Sequence, residues 1–145
     1  MKIKFQQLYM DWARRAAQLS HARRLNVGAV IVKDDTVISY GYNGMPAGWD
    51  NNCEDETYEA DGLHITMKTK PEVLHAEMNS LMKLAKSSSS GDQASMFITH
   101  APCMECAKGI YQAGIKEVFY SEEYRSTDGI EFLKKCNINI EKLGK

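Results

Sequence analysis

No apolar run long enough to span a bilayer occurs in this sequence. A spanning helix needs about 20 such residues, so none is expected. The opening Met1-Lys2-Ile3-Lys4-Phe5-Gln6-Gln7 lacks the apolar segment of a secretory leader, and a cytoplasmic protein is expected. Positive charge is not in excess. Eighteen Lys and Arg face nineteen Asp and Glu, for a net charge of −1. That argues against nucleic acid as a partner, because binding a phosphate backbone calls for a basic patch. A small phosphorylated ligand needs only a few local cations and stays open. Cysteine is sparse, with only Cys53, Cys103, Cys106 and Cys136. In a reducing compartment a close pair such as Cys103 and Cys106 is more often metal-binding or redox-active than a structural disulfide. Neither an internal repeat nor an interdomain linker is evident.

What is present is the profile of one ordinary globular domain, residues 1–145. Apolar residues make up 43% and charged residues 26%. A chain of this length buries roughly 70% of its unfolded surface, enough for a core without disulfides. Residues 5–19 carry Phe5, Leu8, Tyr9, Trp12, Ala13, Ala16 and Leu19 at helical spacing, which predicts a helix with that face inward. Val27-Gly28-Ala29-Val30-Ile31-Val32 reads as a buried strand, Lys33-Asp34-Asp35-Thr36 as a turn, and residues 37–42 as the return strand of a hairpin. The turn-rich Asn43-Gly44-Met45-Pro46-Ala47-Gly48 leads into a long polar connection ending near Leu74, of the kind that is usually functional or flexible. Helices are expected over residues 75–86, 103–113 (closed by Gly114) and 128–136, with strands over 96–99, 117–120 and 138–143. The order is α-β-β-α-β-α-β-α-β. Alternation in the second half predicts parallel neighbours beside an antiparallel hairpin, and so a mixed sheet.

Two short motifs carry chemistry, His75-Ala76-Glu77 and Pro102-Cys103-Met104-Glu105-Cys106, each at the start of an expected helix. One nitrogen and two sulfurs leave the fourth tetrahedral position free, the arrangement of a catalytic zinc rather than a closed structural one. Zinc lowers the pKa of bound water from about 16 toward about 7. Two cysteines three apart on a first helical turn can face one point, where the helix dipole favours thiolate. Glu77 falls beside the metal without being a ligand, the place of a general acid–base. By itself Cys-x-x-Cys is more often structural or redox, and His-x-Glu alone is nearly meaningless. Joined, each at a strand-to-helix step, they form the pattern of zinc nucleobase deaminases.

With these motifs the sequence resembles the cytidine deaminase superfamily, and more narrowly the deoxycytidylate (dCMP) deaminases of phage and bacteria. The resemblance rests also on Gly41-Tyr42-Asn43-Gly44-Met45-Pro46-Ala47-Gly48, His75-Ala76-Glu77-Met78-Asn79 and Gln112-Ala113-Gly114-Ile115-Lys116. It implies a three-layer α/β/α fold with a five-stranded mixed sheet, and conversion of dCMP and water to dUMP and ammonia. It implies one catalytic Zn²⁺ per chain, a homohexamer, activation by dCTP and inhibition by dTTP, with Mg²⁺ accompanying the triphosphate. For residues it implies Glu77 as proton carrier, with Asn43, Ala101 and Tyr124 at the substrate. Asn43 equally suits a left-handed turn conformation, and Tyr124 equally suits a cap on the core. Arg24, Asn26, Asn43, Gly44, Ala47 and Gly48 are candidates for the effector nucleotide. Arg23 and Lys33 are further phosphate candidates, although a solvated pair explains Arg23 and Arg24 as well. Cys53 and His64 suggest a second zinc, but no complete ligand set is evident and one zinc is expected.

Two rival readings remain at this point. One is another zinc deaminase, acting on tRNA adenosine, cytosine, guanine or cytidine. The net charge of −1 does not favour tRNA, and the long 49–74 insertion suits dCMP deaminases better. The other is a non-catalytic, nucleotide-binding zinc module, in which Glu77 would have no use.

Overall fold

A computed structural model describes residues 1–144. Its elements run α1 (Ile3–Ala17), β1 (Gly28–Lys33), β2 (Thr36–Tyr42), β3 (Glu54–Tyr58), β4 (Ile65–Thr69), α2 (Ala76–Ala85), β5 (Ser95–His100), α3 (Met104–Gln112), β6 (Glu117–Glu122), α4 (Asp128–Lys135) and β7 (Asn139–Lys142). The main sheet has the order β2-β1-β5-β6-β7. β1 pairs antiparallel with both β2 and β5, while β5, β6 and β7 run parallel. The sheet is therefore five-stranded and mixed, as the alternation predicts.

Strand parity builds the three layers. Val30, Val32, Phe97 and Phe119 point to one face and pack on Tyr9, Met10 and Ala13 of α1. Ala29, Ile31, Met96, Ile98 and Val118 point to the other face and meet Leu81 and Leu84 of α2, Ile110 of α3 and Leu133 of α4. Two faces covered by helices explain why β1 and β5 read as continuous apolar runs rather than alternating ones. The β1–β2 turn places both Asp34 and Asp35 at positive φ (51° and 57°), the pairing of a two-residue hairpin loop. Gly114, at φ +85°, closes α3 as expected.

Two expectations need correction. The inward face of α1 is made by Tyr9, Met10, Ala13, Ala16 and Ala17, while Phe5, Leu8, Trp12 and Leu19 are exposed, Trp12 at 47%. Ala13, Ala16 and Ala17 lie where the helix runs close to the sheet, a Cβ built on Gly28 standing 2.0 Å from Ala13 O, and much of the bulky stripe is left outward. The second correction concerns the polar connection, which is not structureless. It holds the hairpin β3–β4, registered from Glu54 opposite Thr69 to Tyr58 opposite Ile65. Most of its side chains are charged or exposed, so no apolar alternation marks it. An isolated hairpin is only marginally stable. This one is tied to the domain by Arg23, which pairs with Glu54 and Glu56, and its base is closed by Lys70, with Nζ 2.6 Å from Asp55 Oδ1 and N–H donating to Cys53 O at 2.8 Å.

Candidate active site

α2 and α3 begin side by side at the sheet and aim their N-termini at one point. His75 is the N-cap of α2 and Cys103 the N-cap of α3, both with extended backbone (ψ 150° and 170°). Neither side chain caps its own helix, so both are free to project ahead of it. Cys106 is the third residue of α3, and N-cap and third-residue side chains face one another, as in a capping box. Cys103 Sγ lies 3.6 Å and Cys106 Sγ 3.4 Å from His75 Nδ1. The three ligand atoms all fall within 4.8 Å of one another. A tetrahedral zinc with bonds of about 2.3 Å to sulfur and 2.0 Å to nitrogen has N···S edges near 3.5 Å. The donor types and their spacing therefore fit zinc.

The protons of the cluster tell the same story. Hydrogen bonds from Cys106 and His75 hold the Cys103 thiol down to about 4, a thiolate at neutral pH. Its bond to that thiolate and its burial push the Cys106 thiol up. The Cys103 partner likewise raises His75. Three groups competing for protons in this way are ready to exchange them for one cation. Glu77 is 4% exposed, and burial lifts its carboxyl to about 7, with His75 opposing. A carboxyl balanced near neutrality can both take and return a proton.

These groups open onto a cavity of about 1000 Å³ that also reaches Arg24, Asn43, Glu54, Ala101 and Tyr124. Ala101 donates its N–H to Glu122 O at 2.9 Å, which leaves its carbonyl as the group it can present. Tyr124 packs partly on Tyr120 and Ile130, and Arg125 lies over its ring at 5.5 Å. Asn43 is not in a left-handed conformation. Instead its Oδ1 accepts from Val27 N–H at 2.9 Å, and its Nδ2 donates to Leu25 O at 2.8 Å. The glycine-rich block owes its Gly41 to packing, since a Cβ there would stand 2.5 Å from Ala76 O in α2.

A smaller cavity of about 280 Å³ adjoins. Asn43, Gly44, Ala47, Gly48, His21 and Lys83 line it. The candidate effector residues are thus divided. Arg24 faces the larger cavity, Asn43 faces both, and Asn26 and Lys33 line neither. Asn26 Nδ2 instead donates to Ala22 O at 2.8 Å. The Arg23 guanidinium is engaged by Glu54, Glu56 and Asn52 rather than presented to a phosphate. His64 sits at the exposed turn of the β3–β4 hairpin, 2.6 Å from Asp61, whereas Cys53 is buried at the hairpin's base. Among the described residues, the cluster of three candidate metal ligands is His75, Cys103 and Cys106.

Sequence reasoning overlooked several residues of the larger cavity, namely His100, Glu54, Lys68 and Arg125. His100 had a signal, as it ends a strand next to Ala101-Pro102-Cys103. The others lie in the hairpin and in a loop, where no periodicity points at a site.

Residues 3–122 match the family model described as the cytidine and deoxycytidylate deaminase zinc-binding region. The chain belongs to this family. It is a deaminase of the deoxycytidylate type. The ComE operon protein 2 of Bacillus subtilis is 35% identical over 143 residues, covering 98% of this chain and 72% of that protein. The deoxycytidylate deaminase of Homo sapiens is 38% identical over 130 residues, covering 87% and 70%. The crystal structure of dCMP deaminase from cyanophage S-TIM5 in complex with dCMP and dUMP superposes with a TM-score of 0.88 at 44% identity, covering 99% of each chain. Helices on both faces of a five-stranded mixed sheet are the architecture of these deaminases.

Proposed function

We propose that this deaminase hydrolyses dCMP to dUMP and ammonia, and so supplies dUMP for thymidylate synthesis, within a single domain of residues 1–145. The observation that carries the reading is the buried, near-neutral Glu77 beside three zinc-type ligands in one cavity. The likeness to a phage enzyme crystallised with dCMP and dUMP supports the choice of base and sugar.

His75, Cys103 and Cys106 would hold Zn²⁺, which when bound activates water at neutral pH. Glu77 removes a proton from the attacking water and delivers it to N3 of the cytosine, as oxygen adds to C4. Glu77 then carries a second proton to the 4-amino group. The C4–N4 bond breaks, ammonia leaves and the carbonyl of uracil remains. The Ala101 carbonyl and the Tyr124 ring hold the base in place, and Asn43 lies toward the sugar.

The glycine-rich block around the smaller cavity supports an effector site for dCTP as activator and dTTP as inhibitor, with Mg²⁺ on the triphosphate. Gly44 has nothing within 4 Å of a built Cβ, so a triphosphate has room beside that backbone. The exposed Phe5, Leu8 and Trp12 of α1 support a homohexameric assembly. The four free cysteines suit a reducing, cytoplasmic setting.

The test follows ammonia release from zinc-loaded protein given dCMP, cytidine, cytosine and adenosine-containing RNA. Preference for dCMP is expected, and preference for any other substrate overturns the reading. Rates that stay flat with dCTP or dTTP and Mg²⁺ would remove the regulatory part alone.

A further inference from the structure

His75 is clamped on both sides by one short segment of chain. Ahead of it, Leu74 N–H donates to Gly44 O at 2.8 Å and Gly44 N–H to Leu74 O at 3.1 Å, an isolated antiparallel bridge outside either sheet. One turn behind it, Asn79 Nδ2 donates to Tyr42 O at 2.9 Å, while Asn79 N–H closes the first turn of α2 on His75 O at 2.9 Å. Little slack is left between these anchors. A Cβ built on Gly41 would stand 2.5 Å from Ala76 O and 2.7 Å from Ser80 N, so the end of β2 already lies against the start of α2. A displacement of residues 42–44 is therefore passed to His75.

The far side of this clamp is the smaller cavity. Tyr42, Asn43, Gly44, Leu74 and Asn79 all line it. His75 and Glu77 line the larger cavity, and Asn43 and Cys53 form the wall the two cavities share. The bridge lacks packing on that side, since nothing lies within 4 Å of a Cβ built on Gly44. A ligand seated there supplies the missing packing and braces residues 42–44 where they stand. In that position His75 Nδ1 already lies 3.6 Å from Cys103 Sγ and 3.4 Å from Cys106 Sγ, the spacing that fits zinc. Metal–ligand distances tolerate only about 0.2 Å, so bracing this arrangement favours the metal.

We infer that the smaller cavity controls the metal site: a pyrimidine nucleoside triphosphate seated against residues 42–44 and Leu74 tightens the hold of His75, Cys103 and Cys106 on zinc. This rests on the reading of the smaller cavity as an effector site. Coupling between two sites is reciprocal, so zinc tightens the nucleotide in turn.

The experiment uses dCTP with Mg²⁺ as the probe. Zinc loss from the loaded protein is followed with a colorimetric chelator in excess, so the rate read is that of dissociation and capture of zinc by free nucleotide does not enter. The Kd for dCTP is measured by calorimetry on zinc-loaded and zinc-stripped protein. Saturating dCTP should slow zinc loss about fivefold or more, and zinc loading should lower the dCTP Kd about fivefold or more, from the low end of the usual coupling range upward. Asn79→Ala removes the donor to Tyr42 O and should bring both factors toward one at saturating dCTP. Gly44→Leu keeps the backbone bridge, at a φ that any residue adopts, and fills the smaller cavity. Its zinc loss should not respond to dCTP. Wild-type protein that binds dCTP yet loses zinc at an unchanged rate would overturn the inference and leave the effector reading standing. So would slowing that survives in Gly44→Leu, which would place the nucleotide in the larger cavity, or undiminished factors in Asn79→Ala. An absence of dCTP binding to either form would overturn the effector reading, and the inference with it.

Discussion

Replacing Gly129 with alanine is expected to damage the metal site from the far side of α3. Gly129 is the second residue of α4, and α4 rests on the turn that opens α3. A Cβ built on it would lie 2.1 Å from Pro102 O and 2.9 Å from Cys103 O. A comfortable carbon–oxygen contact is about 3.3 Å. Either α4 or the Pro102–Cys103 peptide must therefore shift by about 1 Å. Overpacking of this kind costs about 1–3 kcal/mol, which is roughly 3–10 °C in melting temperature for a domain of this size. Any share of the shift taken by the peptide carries Cys103 Sγ with it, while metal–ligand distances tolerate about 0.2 Å. Zinc affinity should fall at least about tenfold, and misplacement by 1 Å costs the rate about 10²-fold. Gly109→Ala is the control on α3 itself. Its Cβ would meet Met78 Sδ at 2.8 Å, the mobile end of a flexible side chain. A mid-helix alanine gains up to about 1 kcal/mol over glycine, so that variant should be neutral or slightly stabilised. Zinc retention in a chelator competition, ammonia release and thermal melting read all three effects. A Gly129→Ala protein with wild-type zinc affinity and rate would refute the reasoning.

Glu77→Gln should keep its zinc and lose about 10²- to 10⁴-fold in kcat, while melting no earlier than the wild type, because a neutral amide replaces a carboxyl that burial resists ionising; full activity would exclude Glu77 as proton carrier. Stripping zinc with a chelator should abolish activity and lower the melting temperature, by about 4 kcal/mol of stability when free zinc had stood at 1,000 times its Kd, and both should return on adding zinc; a melting temperature indifferent to chelation would speak against binding at His75, Cys103 and Cys106. Burial holds His100 below the usual histidine range, with Glu122 opposing, so on acidification the unfolded chain takes up the proton first and stability drops below about pH 6.5. In His100→Gln the loss of urea midpoint between pH 7 and pH 5.5 should be smaller; an equal loss in both proteins would count against a buried, neutral His100.

Much of this was legible in the residues. Continuous apolar runs at Ala29–Val32 and Met96–Ile98 announce strands buried on both faces, and every helix and main-sheet strand lies within a few residues of its periodic pattern. The cysteine pair of the metal triad was equally legible, because an N-cap and the third residue of a helix face the same way. The β3–β4 hairpin was not, since ion pairs to Arg23 and Lys70 hold it and its side chains carry no apolar period. For the same reason Glu54 stayed hidden among Asp55, Glu56 and Glu59, where composition reads only a solvated acidic stretch.

Short-range chemistry was therefore decided by the sequence alone: that Cys103 and Cys106 face one point, that Glu77 stands close to His75, and which segments form strands, whereas the meeting of His75 with the two cysteines needed α2 and α3 to begin side by side. Spacing of one to three residues fixes side-chain direction within a single turn, and no partner is needed to enforce it. Long-range burial was decided by the tertiary structure. Only the closed fold brings the backbone N–H groups of Arg23 and Arg24 to Glu54, turns the bulky face of α1 outward, and sets Gly129 against the Cys103 turn. Burial is a property of what lies across the gap, and nothing within a local window of sequence records it.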